Sequence, residues 1–167
     1  MPKTITALFD TRYESEAAIR RLEHAGFTKD QVAMLVSEET RGKHFGIVEG
    51  DNAEKGAATG AALGGLVGTI YMTLMSAGTL LVPGLNLVIS GALVGSLAGL
   101  GAGAVTGGFI GALVGVGIPE HEARLYEGAV HKGAILIAVE ASDDYQAAMA
   151  KEILKGSNAH NVTAVAA

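Results

Sequence analysis

The chain has no cysteine and no tryptophan, few other aromatic residues, and only three prolines. Without cysteine there is no disulfide, no thiolate metal ligand and no thiol nucleophile. A formal net charge of −5 leaves no basic footprint for a general nucleic-acid role. The most informative absence is local. From Gly56 to Pro119 there is no Asp, Glu, Lys, Arg or His, so every charge lies in the flanks. Residues 1–10 lack an apolar core long enough for a signal peptide, and retention on the cytoplasmic side is the expectation.

What fills the uncharged block is glycine at a fixed interval. Gly56, Gly60, Gly64 and Gly68 are spaced by four, and Gly91, Gly95, Gly99, Gly103, Gly107, Gly111 and Gly115 resume the spacing. Residues four apart share a helix face. A row of glycines there lets a second backbone approach closely, as in small-xxx-small packing of membrane helices. These eleven glycines are the expected helix-packing and oligomerisation residues. Pro83 and Gly84 are the strong turn signal inside the block and are expected to form the tip of an α-helical hairpin. One arm would run from Gly56 to Leu81 and the other from Leu85 to Gly117, roughly 39 and 50 Å as helices. Both exceed the roughly 20 residues that a bilayer core requires. Each four-residue step drifts about 40° on a straight helix. Seven glycines therefore leave one face, so successive ones are expected to meet a wrapping partner or different partners, which favours an oligomer.

The flanks read as a small α+β domain. Residues 4–9 and 32–36 are β-prone around a helix from Glu14 to Ala25, with Ala18, Ile19, Leu22 and Ala25 at helical spacing and Gly26 as its stop. Residues 37–55 read as a polar loop. Pro119 suits the first turn of a helix whose apolar stripe is Ala123, Tyr126 and Val130. Residues 134–139 are a buried strand, Ser142 is the expected N-cap of the next helix, and residues 161–165 are the last strand. The expected fold is thus a ferredoxin-like split βαβ sandwich interrupted by the glycine-zipper hairpin. Residues 1–55 and 119–167 form the two halves, and residues 56–118 form the insertion. Arg41, Lys43, Lys55, Arg124 and Lys132 flank the block, which puts both termini in the cytoplasm by the positive-inside rule.

No catalytic constellation emerges. His121, Glu122 and His131 lack metal-ligand spacing and read as a solvated helix face. Glu38, Glu39, Glu49, Asp51 and Glu54 read as a solvated acidic loop. Residues 101–107 and 54–60 lack the order of a dinucleotide or phosphate loop. No enzyme activity, cofactor, metal or small-molecule substrate is expected.

Residues 117–127, Gly-Ile-Pro-Glu-His-Glu-Ala-Arg-Leu-Tyr-Glu, are followed by Gly133-Ala134-Ile135-Leu136-Ile137-Ala138-Val139. Together they resemble the GIPExEAxxYE…G…LVxV signature of the general stress protein 17M-like and low-temperature-induced glycine-zipper proteins of bacteria. The resemblance extends to the glycine-rich block with its central Pro-Gly and to Phe9-Asp10 before the first helix. It implies a stress-associated, often membrane-associated protein and supplies no catalytic residues. The leading expectation is a structural protein of the bacterial inner membrane that homo-oligomerises through its zipper helices, with the lipid bilayer and itself as partners. A soluble or lipid-coating ring, tube or filament with the hairpins as a shared core is the alternative, as a cytoplasmic assembly. A channel-like assembly is a third.

Overall fold

The computed structural model describes residues 3–40, 80–82, 87–91, 110–111, 113–115 and 117–166. Strand β1 (Lys3–Phe9) leads into helix α1 (Arg12–His24) and strand β2 (Val32–Ser37). Two short strands follow, β3 (Leu80–Val82) and β4 (Leu87–Gly91). Helix α2 (Glu120–His131), strand β5 (Ile135–Ala141), helix α3 (Asp144–Lys155) and strand β6 (His160–Ala166) complete the order. All pairings are antiparallel, and the strands lie in the order β3-β4-β2-β5-β1-β6.

Local chemistry explains the elements. Thr11 caps α1 by accepting from the Glu14 backbone N–H, and Asp143 caps α3 by accepting from that of Gln146 at 2.7 Å. Each has Glu or Gln three residues on, the capping-box spacing. The cap of α3 is therefore Asp143, one residue beyond Ser142. A carboxylate there also faces the positive end of the helix dipole. Pro119 occupies the N-cap of α2 and precedes its first turn.

α1, α2 and the helical residues 110–111 and 113–115 stop in the same way. Gly26, Gly117 and Gly133 have φ of +94°, +93° and +105°. The next residue then bonds back to the helix: Phe27 to the Leu22 carbonyl, Ile118 to that of Leu113, and Ala134 to that of Ala129. This is the Schellman arrangement, in which a left-handed residue lets apolar side chains across the stop meet. Leu22 with Phe27, and Leu113 with Ile118, are buried pairs of this kind.

The two halves repeat one another. β1 and β5, the caps Thr11 and Asp143, and the helix residues Tyr13 and Tyr145, Ala18 and Ala150, Leu22 and Leu154 all recur at one constant sequence interval. β1 and β5 pair with Thr6 opposite Ala138, the midpoint of both strands, so a pseudo-two-fold axis passes there. Alternation along the strands separates two cores. Ile5, Phe9, Met34, Ile137 and Val139 face α1 and α3. Leu8, Leu35, Leu136 and Ala138 face the opposite side, which α2 and the 110–118 segment cover.

The central expectation needs correction. The uncharged block is not one long helical hairpin. Leu80–Val82 and Leu87–Gly91, placed in its arms by the sequence reading, are strands, and β4 pairs with β2 inside the domain sheet. The chain reverses between Val82 and Leu87, the interval holding Pro83 and Gly84, as a β-hairpin at the sheet and not as the remote tip of an α-hairpin. Gly91 ends β4 at φ +87° and takes no place on a helix. The physical reason lies in composition. Leu80-Leu81-Val82 and Leu87-Val88-Ile89 are short apolar runs with β-branched residues on either side of the Pro-Gly signal, and β2 offers the second of them an edge. Likewise Ser37 closes β2 instead of opening a loop, and residues 38–40 make a helical turn fastened by the Ser37–Thr40 hydroxyl bond at 2.7 Å.

Candidate functional site

The second face of the sheet is where the apolar block meets the domain. Ile89 of β4, Leu113 and Ile118 are essentially fully buried there. They pack with Ala123, Tyr126 and Val130 of α2 over Leu35 and Leu136. The block is thus anchored at its middle through β4 and at its end through the 110–118 segment. Burying such side chains stabilises by about 1.5–3 kcal/mol each, which fixes the anchors to the sheet.

Beside this apolar ground lies a polar pin. Tyr126 is the largest fully buried side chain, at 1% exposure. Its hydroxyl lies 2.8 Å from the hydroxyl of Thr6, itself fully buried on the pseudo-two-fold axis. It donates to a Glu122 carboxylate oxygen at 3.3 Å, one turn earlier on α2. Thr163 of β6, directly opposite Thr6, also reaches the phenol. Burial raises the Tyr126 pKa; the Thr6 and Thr163 hydroxyls oppose the rise, and the Glu122 carboxylate adds to it. The phenol therefore stays neutral at ordinary pH and can both donate and accept. Three hydroxyls and one carboxylate thus fix α2 against β1 and β6. The sequence reading identified Tyr126 as part of the apolar stripe. Its partners escaped it because they lie on distant strands.

The expected packing residues divide unevenly. Gly111 and Gly115 are helical: Ile110 and Leu113 pack on the second core, Val114 and Gly115 are exposed, and Gly111 is half-buried. Gly91 lies in β4. Gly56, Gly60, Gly64, Gly68, Gly95, Gly99, Gly103 and Gly107, together with Pro83 and Gly84, lie outside the described residues, as do Glu49, Asp51 and Glu54 of the acidic loop. His121 and His131 are both exposed on α2, and His121 approaches Glu122 at 3.9 Å. Among the described residues no cluster of His, Asp or Glu is suited to a metal ion. Among them, too, no helix is long and apolar enough to cross a membrane. Comparison with protein-family models, curated proteins and solved structures gave no match.

Proposed function

We propose that this chain is a non-enzymatic, stress-associated assembly protein of the bacterial envelope. It self-associates through glycine-zipper segments that dip into the membrane surface from a ferredoxin-like domain. The stress association rests on the GIPExEA resemblance at residues 117–123. The ferredoxin-like reading is supported by the outer strands: β6, β1, β5 and β2 lie side by side in the 4-1-3-2 order of a split βαβ sandwich.

One observation carries the reading: the two uncharged runs lie in stretches of chain, 41–79 and 92–109, whose flanking described residues belong to the same domain. Residues 56–79 lie between the charged 41–55 stretch and β3, and residues 92–109 lie between β4 and the anchored 110–118 segment. A run that leaves and returns on one side of a bilayer needs two crossings, roughly 40 apolar residues. Each run is far shorter. Shallow embedding, or burial against other copies, satisfies both the apolar character and the anchors. Gly115, which is exposed, and Gly111, one turn before it, suit close approach by another copy.

The test is fractionation of the untagged protein with a high-pH carbonate wash, then detergent extraction and mass determination. Membrane retention through carbonate, with a defined oligomer in detergent, supports the proposal. Large particles in a detergent-free soluble fraction would move the apolar runs to a protein core without lipid. A monomer in the soluble fraction defeats both. Gly111→Leu and Gly115→Leu should reduce cross-linking between copies and leave the domain folded.

A further inference from the structure

We propose that two copies of this chain also join edge to edge through β6, forming a continuous antiparallel sheet with the two α3 helices side by side. This contact is independent of the glycine segments.

The internal repeat points to the edge. β2 and β6 are pseudo-symmetry mates, each flanking the central β5-β1 pair. The outer edge of β2 receives β4. The outer edge of β6 receives no strand among the described residues. Exposed edges are normally blunted by charge, proline or a bulge. Here one bulge, where Thr6 faces Thr163 but Leu8 faces His160, protects only the start of the strand, with Asn161 at φ +50°. From Asn161 to Ala166 the strand has neither a charge nor a proline.

The helix above the edge says what fits it. Ala147, Ala150 and Leu154 of α3 face the core. Gln146 bonds Gln31, next to β2, so the flank that also bears Met149 and Ile153 faces α1. The opposite flank, toward the β6 edge, carries Asp144, Ala148, Lys151 and Lys155. Their i, i+4, i+7, i+11 spacing forms one seam along the helix. The seam is acidic at its N-terminal end, small in the middle and basic at its C-terminal end. A copy related by a two-fold axis runs antiparallel, placing Asp144 opposite Lys155 and Ala148 opposite Lys151. The surface is therefore complementary to itself, as an isologous dimer requires. The Asp144 carboxylate bonds Lys3 at 2.9 Å but remains 79% exposed, open to a second cation. Lys151 and Lys155 have no ion pair among the described residues. α3 packs against β6 as well as against β1 and β5, so the seam and the open strand edge lie on the same side of the molecule and one two-fold axis can serve both.

The test uses the full chain in detergent, with masses followed by sedimentation over a concentration series. Ala164 is exposed on the edge, and Ala164→Lys puts a charge on the strand. Lys155→Glu sets like charges opposite one another twice per dimer. Each should weaken edge pairing about tenfold without loss of helical signal. Combining Lys155→Glu with Asp144→Lys should recover most of that loss, which general destabilisation would not do. Masses unaltered by Ala164→Lys and by Lys155→Glu overturn the edge dimer. So does a charge swap that fails to restore association. Gly111→Leu and Gly115→Leu act on the other contact: a change there, with none from the edge variants, leaves the zipper proposal standing and removes this one.

Discussion

Tyr126→Phe removes one oxygen from the largest fully buried side chain among the described residues and tests whether α2 is pinned to the sheet by hydrogen bonding or by packing alone. The ring remains, so no cavity opens. The Thr6 hydroxyl loses its 2.8 Å partner in a fully buried site. Leaving such a group unsatisfied costs about 1–3 kcal/mol. Thr163 stands opposite Thr6 and offers partial relief, so the lower half of that range, about 1.5 kcal/mol, is expected. Thr6→Val makes the converse change with a similar effect. The double variant removes both members of the Thr6–Tyr126 pair, which spares the penalty of one orphaned hydroxyl, while Glu122 and Thr163 still lose the phenol. It should therefore cost about 2 kcal/mol instead of the additive 3, a coupling of about 1 kcal/mol. Urea unfolding of all four proteins in detergent, followed by far-ultraviolet circular dichroism, measures the cycle. Strict additivity, or a Tyr126→Phe protein as stable as the parent, refutes the pin and leaves Tyr126 as a packing residue.

The same phenol sets an alkaline limit. Its folded pKa is raised above the ordinary tyrosine value of about 10, so the folded state holds the proton more tightly. That stability is fully present below pH ~10 and is lost as pH rises toward the folded pKa. Phenolate absorbance should show a late-titrating component that Tyr126→Phe removes. Asp143→Ala removes the α3 cap and should lower unfolding free energy by about 1 kcal/mol in the same urea assay. Gly133→Ala tests conformation without crowding. The nearest atom to an added Cβ, the Thr40 hydroxyl oxygen, is 3.7 Å away, yet φ is +105°. A loss of about 1–2 kcal/mol by urea unfolding is expected from strain alone, and Gly133→Asn should lose less.

The flanking elements were legible because each carried a local signal. Ala18, Ile19 and Leu22 face one way on α1 at helical spacing, and residues 135–139 are an unbroken apolar run. Both ended in the interior. The β-hairpin was obscured by its surroundings. Glycine every four residues imposes a helical period on the reading, and Gly91 falls in step with that period while serving as the end of a strand. Leu80–Val82 is too short to register as a strand by itself and is held by the partner that β4 provides. The internal repeat was hidden because identity is slight: Ile5, Tyr13, Ala18 and Leu22 match Ile137, Tyr145, Ala150 and Leu154, whereas Thr6 and Phe9 correspond to Ala138 and Ala141. What repeats is burial and capping. The partners of Tyr126 depend on strand register across more than a hundred residues, which no local pattern encodes.

The position of the β-hairpin decides how the apolar block relates to a membrane. With its turn at the far end of two long helices, residues 56–118 would have been two spans, and length alone would have supported crossing. With β4 paired to β2, the middle of the block returns to the domain, so residues 92–109 join two elements of the domain and residues 41–79, which contain the first apolar run, join Thr40 to β3. Length then argues against crossing, because each run must be divided between going out and coming back. The same anchors also limit how far the runs can reach, keeping the domain close to whatever surface receives them. A charge placed midway along a run, such as Gly99→Lys, separates the two topologies. In a crossing segment it would sit near the bilayer centre at about 2.5–3.5 kcal/mol and release the protein from membranes. In a shallow excursion its ammonium reaches the headgroups along the flexible side chain, and carbonate-resistant binding should survive. Loss of membrane binding in Gly99→Lys, with the domain still folded, would return the argument to a spanning block.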